Sequence, residues 1–243
     1  MPSKLELIPA RLDVKDLSFA YPDSPQLLSE ISFSIQRGQK VAIVGPNGAG
    51  KTTLLLNLTG LLTGSGEILV NDILLHKKNL PVIRQLMGMV FQSPDDQLFS
   101  NRVFDDVAYG LVYQGKEKEL IEQYVQAALQ AVGMQGFEDA VPYHLSLGQK
   151  KRVAIATVLS MQPQLLLFDE PTMGLDARAR KQFIQIVHDL PQTILLATHD
   201  LRLAAALCER VIVLDAGQIV YDGDLGMALQ DTDFLEQHGL DFE

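Results

Sequence analysis

A glycine-rich run at residues 45–52 carries the residue types and the spacing needed to hold phosphate. It reads Gly45-Pro46-Asn47-Gly48-Ala49-Gly50-Lys51-Thr52, directly after the apolar residues VAIV and before a helical stretch. Glycines allow positive φ and turn backbone N–H groups inward, so the loop and the helix N-terminus form a concave anion site. Lys51 adds a charge for the outer phosphates, and the Thr52 hydroxyl can ligate Mg²⁺. The pattern in this context predicts nucleotide binding and leaves the reaction open.

Two carboxylates, Asp169 and Glu170, follow the apolar run LLLF. Ligands of open α/β sheets bind at the carboxyl ends of the strands, which is where this pair is expected. In that setting Asp169 would hold the Mg²⁺ shell through water, and Glu170 would polarise the attacking water as a base. Without the glycine-rich run, a solvated strand end would explain the pair equally well.

The elements that must position these residues alternate between strand-like and helical patterns. Residues 12–43 predict antiparallel strands that lead into one buried strand. Residues 103–132 predict amphipathic helices. Apolar runs such as LLLF, TILLA and VIVL, separated by helical stretches, predict a mainly parallel sheet covered on both faces. The expected fold class is therefore α/β.

Length and composition limit the number of domains and the kinds of partner that the chain can bind. The 243 residues correspond to about 1.6 typical domains, which predicts one large domain or one domain with a subdomain. A net charge of −10 disfavours unspecific binding to nucleic acid or anionic lipid. A single cysteine, Cys208, excludes an intrachain disulfide. No signal peptide is expected at the N-terminus, and the longest charge-free apolar stretch, 153–168, is interrupted and shorter than the roughly 20 residues of a membrane span. We therefore expect any role at a membrane to depend on a partner.

The pentapeptide Leu145-Ser146-Leu147-Gly148-Gln149 discriminates between classes of nucleotide-binding protein. With it, the chain resembles the ATP-binding cassette (ABC) ATPases, whose signature LSGGQ lies between the two nucleotide motifs. The order of the other elements agrees over nearly the whole chain: Tyr21, the glycine-rich run, Gln92, the signature, the acidic pair, Gly174-Leu175-Asp176 and His199. The resemblance implies a phosphate-loop (RecA-like) core with a mainly parallel sheet, an N-terminal antiparallel β subdomain and an inserted α-helical subdomain.

The resemblance also implies a role for each of these residues. Tyr21 would stack on adenine, Gln92 would ligate Mg²⁺ and respond to the γ-phosphate, and His199 would reach the γ-phosphate by a hydrogen bond. Ser146 and the Gly148 N–H would bind the γ-phosphate of ATP held by a second chain, because a helix N-terminus is partly positive. The catalytic residues are thus predicted as Glu170 and His199, the Mg²⁺ site as Thr52, Gln92 and Asp169, and the other nucleotide-binding residues as Tyr21, Gly45, Pro46, Asn47, Gly48, Ala49, Gly50, Lys51, Thr53, Ser146, Gly148, Gln149 and Asp176, the last linking the two sites of a dimer.

One residue, Leu147, departs from the family pattern, which has glycine at this position. A leucine does not readily adopt φ > 0, so we expect its side chain to point away from the phosphate. Ser146, Gly148 and Gln149 keep the pattern.

Longer matches are similar to one branch of the family. Residues 92–99 (QSPDDQLF), the stretch LSLGQKKRVAIA and the ending LEQHGL resemble the ATPases of energy-coupling-factor importers, particularly those for cobalt or nickel. This implies a homodimer or a heterodimer with a second ABC ATPase, on the cytoplasmic face of the membrane, with a transmembrane coupling protein and a substrate-binding membrane protein as partners and no nucleic acid. The end at Glu243 leaves little room for the C-terminal extension of vitamin-importer ATPases and favours the metal branch. Leu98, Phe99 and Phe104 either dock a coupling helix or lie buried within the helical subdomain.

The resemblance predicts a single ABC domain over residues 1–243. The antiparallel β subdomain is expected at about 10–36 and 64–75, the RecA-like core at about 38–62, 76–100 and 162–240, and the helical subdomain at about 101–161. Three alternatives remain: the ATPase of a vitamin-type or other ABC transporter, an ABC ATPase that acts on nucleic acid or ribosomes, and a small-molecule kinase, which would leave the signature unexplained.

Overall fold

The computed structural model describes residues 7–240. Residues 1–6 and 241–243, which the predicted single domain includes, lie outside the described part of the chain. The chain divides into two compact units, and each is described by itself. The first contains Met1–Met87, Gln164–Glu170 and Pro191–Glu243, and the second contains Gly88–Pro163 and Pro171–Leu190.

The described residues form ten strands and nine α-helices. The strands are β1 Leu12–Ala20, β2 Gln26–Ile35, β3 Lys40–Val44, β4 Ser65–Val70, β5 Ile73–Leu74, β6 Met87–Val90, β7 Leu165–Asp169, β8 Thr193–Thr198, β9 Arg210–Asp215 and β10 Gln218–Asp224. The helices are α1 Lys51–Leu58, α2 Leu80–Leu86, α3 Val103–Tyr113, α4 Lys118–Ala131, α5 Leu147–Leu159, α6 Ala177–Asp189, α7 Leu201–Leu207, α8 Leu225–Ala228 and α9 Thr232–Gln237.

An antiparallel sheet of the first unit has the strand order β2-β1-β4-β5. Leu12 of β1 lies opposite Ile35 on one side and Val70 on the other, and all three side chains are fully buried. The alternation of apolar and polar residues in β1 and β2 places one face of the sheet in the core and leaves the other in solvent, as the sequence predicts.

The second sheet brings the chemistry-bearing residues to one edge. Within the first unit its strands run in the order β10-β9-β3-β8-β7, and β3 pairs in parallel with both β8 and β9 while β7 pairs in parallel with β8. The strands are continuous apolar runs because both faces are covered. The register sets Val44 beside Thr198 and Asp169 beside Ala197, so the carboxyl ends of β3, β7 and β8 meet. The predicted α/β class with a mainly parallel sheet is confirmed.

The second unit is mostly helical. Helix α4 buries Ile121, Val125, Ala128 and Leu129 at helical spacing, as its sequence pattern predicts. Gly115, at φ +70, separates α3 from α4. None of the helices within residues 7–240 is long and apolar enough to cross a bilayer.

Candidate functional site

The glycine-rich loop joins the end of β3 to the start of α1, and its backbone requires glycine at defined points. A Cβ added to Gly45 would lie 2.0 Å from the carbonyl oxygen of Leu214, so a side chain is sterically excluded there. Gly48 and Gly50 adopt φ +85 and +104, a region that side chains strongly disfavour. The loop therefore presents backbone N–H groups at the N-terminus of α1, which is the geometry of a phosphate cradle.

The Lys51 ammonium lies within this loop. Its Nζ donates to the carbonyl oxygens of Gly45 at 2.8 Å and Pro46 at 3.1 Å, and it lies 3.6 Å from Glu170 Oε1. Burial lowers the pKa of Lys51, and the neighbouring carboxylate of Glu170 opposes this shift. The lysine thus sits as a poorly hydrated cation at the centre of the cradle, where phosphate oxygens would be its preferred partners.

Thr52 and Asp169 meet at the same edge. The Thr52 hydroxyl donates to Asp169 Oδ1 at 3.1 Å. Burial raises the pKa of Asp169, whereas the hydrogen bond from Thr52 acts in the opposite direction. A hydroxyl and a carboxylate side by side are the hard oxygen donors that Mg²⁺ prefers, so this pair fits the ion that the sequence predicts.

Glu170, the predicted base, follows β7 and is held by the end of the neighbouring strand β8 and the residue after it. Its Oε2 accepts a hydrogen bond from the Thr198 hydroxyl at 3.1 Å, and its Oε1 lies 3.0 Å from His199 Nδ1. The backbone N–H of Glu170 donates to Ala197 O at 2.9 Å. The residue adopts φ +41, a left-handed conformation that is costly for a side-chain-bearing residue and is found preferentially at functional sites. The carboxylate is thereby fixed at the strand ends with His199 beside it.

Tyr21 follows β1 and is 40% exposed. Its ring makes an edge contact with Phe19, with centroids 4.9 Å apart, and its hydroxyl lies 3.5 Å from Thr53 Oγ1 in α1. Because Thr53 directly follows the glycine-rich loop at residues 45–52, this contact keeps an accessible aromatic ring beside the phosphate cradle.

The other predicted residues belong to the second unit. Ser146 is the N-cap of α5: its Oγ accepts from Gln149 N at 3.3 Å, while Gln149 Oε1 accepts from Ser146 N at 2.9 Å. This capping box satisfies two backbone donors and gives Gln149 a structural task, while its predicted contact with nucleotide stays a prediction. Asp176 likewise caps α6, since its Oδ1 accepts from Ala179 N at 2.7 Å.

Gln92 and Leu147 are two further positions of this unit for which the sequence makes a prediction. Gln92 is exposed, and its Nε2 lies 2.7 Å from Met173 Sδ. Leu147 is the first residue of α5, so this position has helical backbone and does not require the positive φ that a glycine would supply.

The sequence left two alternatives open for the apolar residues near residue 100, exposure for docking or burial, and the structure divides them. Leu98 is buried, and Phe104 is half-buried, whereas Phe99 is 67% exposed and packs its ring edge-on against Tyr109. Sequence analysis missed the exposed face that α3 adds, although its i, i+3 and i+4 spacing could have revealed it: Tyr109, Val112 and Tyr113.

The phosphate cradle, the buried carboxylates at the end of β7 and the capped helix at the signature are the features expected of one class of ATPase. Residues 28–173 match the family model described as ABC transporter, so this chain belongs to the ABC transporter family and hydrolyses ATP. Within the family it is an ATP-binding subunit of the energy-coupling-factor type, as the sequence resemblance implies.

The relatives support this assignment. An ABC transporter ATP-binding protein of Streptomyces coelicolor, so named provisionally, is 47% identical over 96% of this chain and 90% of its own length. The energy-coupling factor transporter ATP-binding protein EcfA of Methanocaldococcus jannaschii is 42% identical over 94% of this chain and 84% of its own length. The solved structure of CbiO1 from Clostridium perfringens, part of the ABC transporter complex CbiONQ, matches with a TM-score of 0.83 at 36% identity and covers 93% of each chain.

Proposed function

We propose that this chain powers a membrane importer for cobalt or nickel ions, bound to the cytoplasmic face of the membrane through its partners. The observation that carries the ATPase half of the proposal is the position of Glu170, fixed by Thr198 and His199 beside the phosphate cradle. The cargo rests on the resemblance of residues 92–99 and of the extended signature to cobalt and nickel importers, and on the similarity to CbiO1.

In the proposed reaction, the loop N–H groups and Lys51 bind the β- and γ-phosphates, and Tyr21 stacks on the adenine ring. Glu170 takes a proton from the attacking water. His199 contacts both the γ-phosphate and this carboxylate and holds them in fixed relative positions. Thr52, Asp169 and Gln92 would hold Mg²⁺, which would neutralise part of the phosphate charge. Burial lowers the pKa of Lys51, so replacing the surrounding carbonyl oxygens by phosphate would favour its charged form.

The power stroke requires a second ATPase chain. Ser146 and the Gly148 N–H at the N-terminus of α5 bind the γ-phosphate held by the other subunit, and Asp176 links the two sites. ATP thus binds the closed dimer more tightly than the open one, and hydrolysis removes the bridge. The partner chain is a second copy or a different ABC ATPase. The subdomains predicted from sequence, with the helical subdomain at about 101–161, provide the moving parts.

The proposed contact with the membrane protein is the exposed apolar face around Phe99. Phe99 and Tyr109 form an aromatic pair, and Val112 and Tyr113 on α3 are 61% and 88% exposed. A contiguous exposed apolar face of this kind is typical of protein–protein contact. A cytoplasmic coupling helix of the transmembrane protein is its proposed occupant.

Purification of the chain from membranes, followed by reconstitution with its partners into lipid vesicles, tests this function. We expect a transmembrane protein and a substrate-binding membrane protein to co-purify, and we expect vesicles to take up cobalt or nickel only with ATP on the side of the ATPase. A Tyr113→Asp variant should lose the partners while retaining ATP hydrolysis in solution, and Gln123→Asp, which adds the same single negative charge at an exposed position of α4, serves as control. ATP-driven uptake of a vitamin instead of a metal would assign the chain to the vitamin branch.

A further inference from the structure

We propose that Leu147 is a positioning residue, which fixes the tip of the signature helix against the turn at residues 173–176 and so presents Ser146 and that turn as one rigid piece. The inference rests on the proposed function, because Ser146 acts on the ATP of a second chain. It concerns the residue that departs from the family pattern.

The backbone at Leu147 has no need of glycine. Helix α5 begins there, directly after the N-cap Ser146, so the residue has helical φ. Gly148, in contrast, has little room for a side chain: an added Cβ would lie 3.0 Å from the Cβ of Ala179 in α6, so the neighbour would have to shift. The two neighbouring positions therefore differ, since a side chain at position 148 would crowd α6 and position 147 has room for one.

The Leu147 side chain covers a second glycine. Gly174 adopts φ +76, and a Cβ built on it would lie 3.0 Å from Leu147 Cδ2. Leu147 is 40% exposed, so a large part of it is removed from water by its neighbours. A glycine at position 147 would leave two glycines facing each other, each with wide backbone freedom. The leucine restricts both positions at once.

This contact belongs to a continuous clamp along one face of α5. Lys151, one turn after Leu147, is 5% exposed and donates from Nζ to Pro171 O at 2.8 Å. Between them Gly148 lies against Ala179, whose N–H is capped by Asp176. Residues 147–151 of α5 thus contact the segment at residues 171–179 at its start, Pro171, near its middle, Gly174, and at its end, Ala179. Leu147 forms the contact nearest to Ser146.

These contacts hold Ser146, the residue proposed to bind the ATP of the second chain, in place before the two chains associate. A reacting group held in place before binding loses less freedom on assembly, so the closed dimer forms more readily. The Leu147 side chain does not contribute to the phosphate cradle at residues 45–52. Its loss should therefore lower turnover and leave the affinity of a single chain for ATP unchanged.

The decisive experiment compares Leu147→Ala, Gly174→Ala and the double variant in the full chain. We expect Leu147→Ala to lower kcat about tenfold, with nucleotide affinity of the monomer within twofold of wild type, and Leu147→Met, which refills the space, to restore most of the rate. Gly174→Ala introduces strain and meets Leu147 Cδ2, so it should cost at least threefold less in the Leu147→Ala background than in wild type. Leu74→Ala, a leucine of equal exposure at 39% on β5, is the matched control and should behave as wild type.

The positioning role and the contact between chains can be refuted separately. Wild-type turnover in Leu147→Ala, or effects of the two single variants that simply multiply, would overturn the positioning role. If Leu147→Ala does not fold, Leu147→Val, which lacks the Cδ atoms, is measured in its place and must lower kcat. Ser146→Arg is measured in parallel: dimerisation that survives in Ser146→Arg removes the proposed contact between chains, whereas its loss together with a normal Leu147→Ala removes only the role of Leu147.

Discussion

Replacing Glu170 by glutamine tests the chemistry of the site most directly. The Thr198 hydroxyl donates to Oε2, and a glutamine keeps this bond when its carbonyl oxygen takes that position and its NH₂ group takes the Oε1 position. That position lies 3.0 Å from His199 Nδ1 and 3.6 Å from Lys51 Nζ. The amide keeps the size of the side chain and its link to β8, but it cannot accept a proton from water.

We expect Glu170→Gln to slow turnover about 100-fold or more, the contribution of a positioned base, which corresponds to at least about 2.7 kcal/mol on the barrier. The cradle at residues 45–52 is unchanged, so ATP affinity should stay within a few-fold of wild type. Phosphate release under single-turnover conditions measures the first quantity, and titration with a fluorescent ATP analogue measures the second.

The matched control for this experiment is Glu122→Gln, the same change on the exposed surface of α4. It should hydrolyse ATP at the wild-type rate. Near-normal hydrolysis in Glu170→Gln, with folded protein and normal ATP binding, would show that another group accepts the proton and would refute the role drawn from the geometry.

Other predictions follow from the capped helices and the buried carboxylate. Ser146→Arg should abolish ATP-dependent dimerisation in light scattering while monomer affinity for ATP persists; an unchanged dimer contradicts the contact between chains. Asp176→Ala removes the 2.7 Å bond to Ala179 N and should lower the free energy of unfolding by about 1 kcal/mol in urea, with Asp176→Ser recovering most of it; an unchanged midpoint would deny the cap any role in stability. Burial raises the pKa of Asp169, so the folded state keeps this proton to higher pH than the unfolded chain, and the associated stability is lost as pH rises through the folded pKa. Asp169→Asn should therefore melt at a higher temperature than wild type in Mg²⁺-free buffer at about pH 7, with the difference shrinking toward about pH 4, near the unfolded pKa; an equal or lower melting temperature at neutral pH contradicts the burial cost.

Local patterns made most of the site predictable. The run at residues 45–52 specifies a strand, a tight turn and a helix in direct succession, and each depends on neighbours in sequence. The apolar run before Asp169 likewise predicts a buried strand that ends at its carboxylates. These features could be read from the chain because short-range geometry determines them.

Features that depend on distant contacts could not be predicted in the same way. The hydrogen bond from Thr198 to Glu170 requires β7 and β8 to be neighbours, and the left-handed backbone of Glu170 has no sequence signal. The sequence left open whether Leu98 docks a partner or is buried, because its burial depends on packing within the second unit. The room for a side chain at position 147 depends on Gly174, which lies 27 residues later in the sequence numbering.

The distribution of Glu170 and Ser146 over the two units has a genetic consequence. In the proposed dimer each chain contributes two unlike half-sites to two equivalent active sites, because its base serves its own nucleotide and its serine serves the neighbour's. A homodimer assembled from one copy without the base and one copy without the serine therefore contains one doubly damaged site and one intact site. Two alleles that are each inactive alone should complement one another when they are expressed in the same cell.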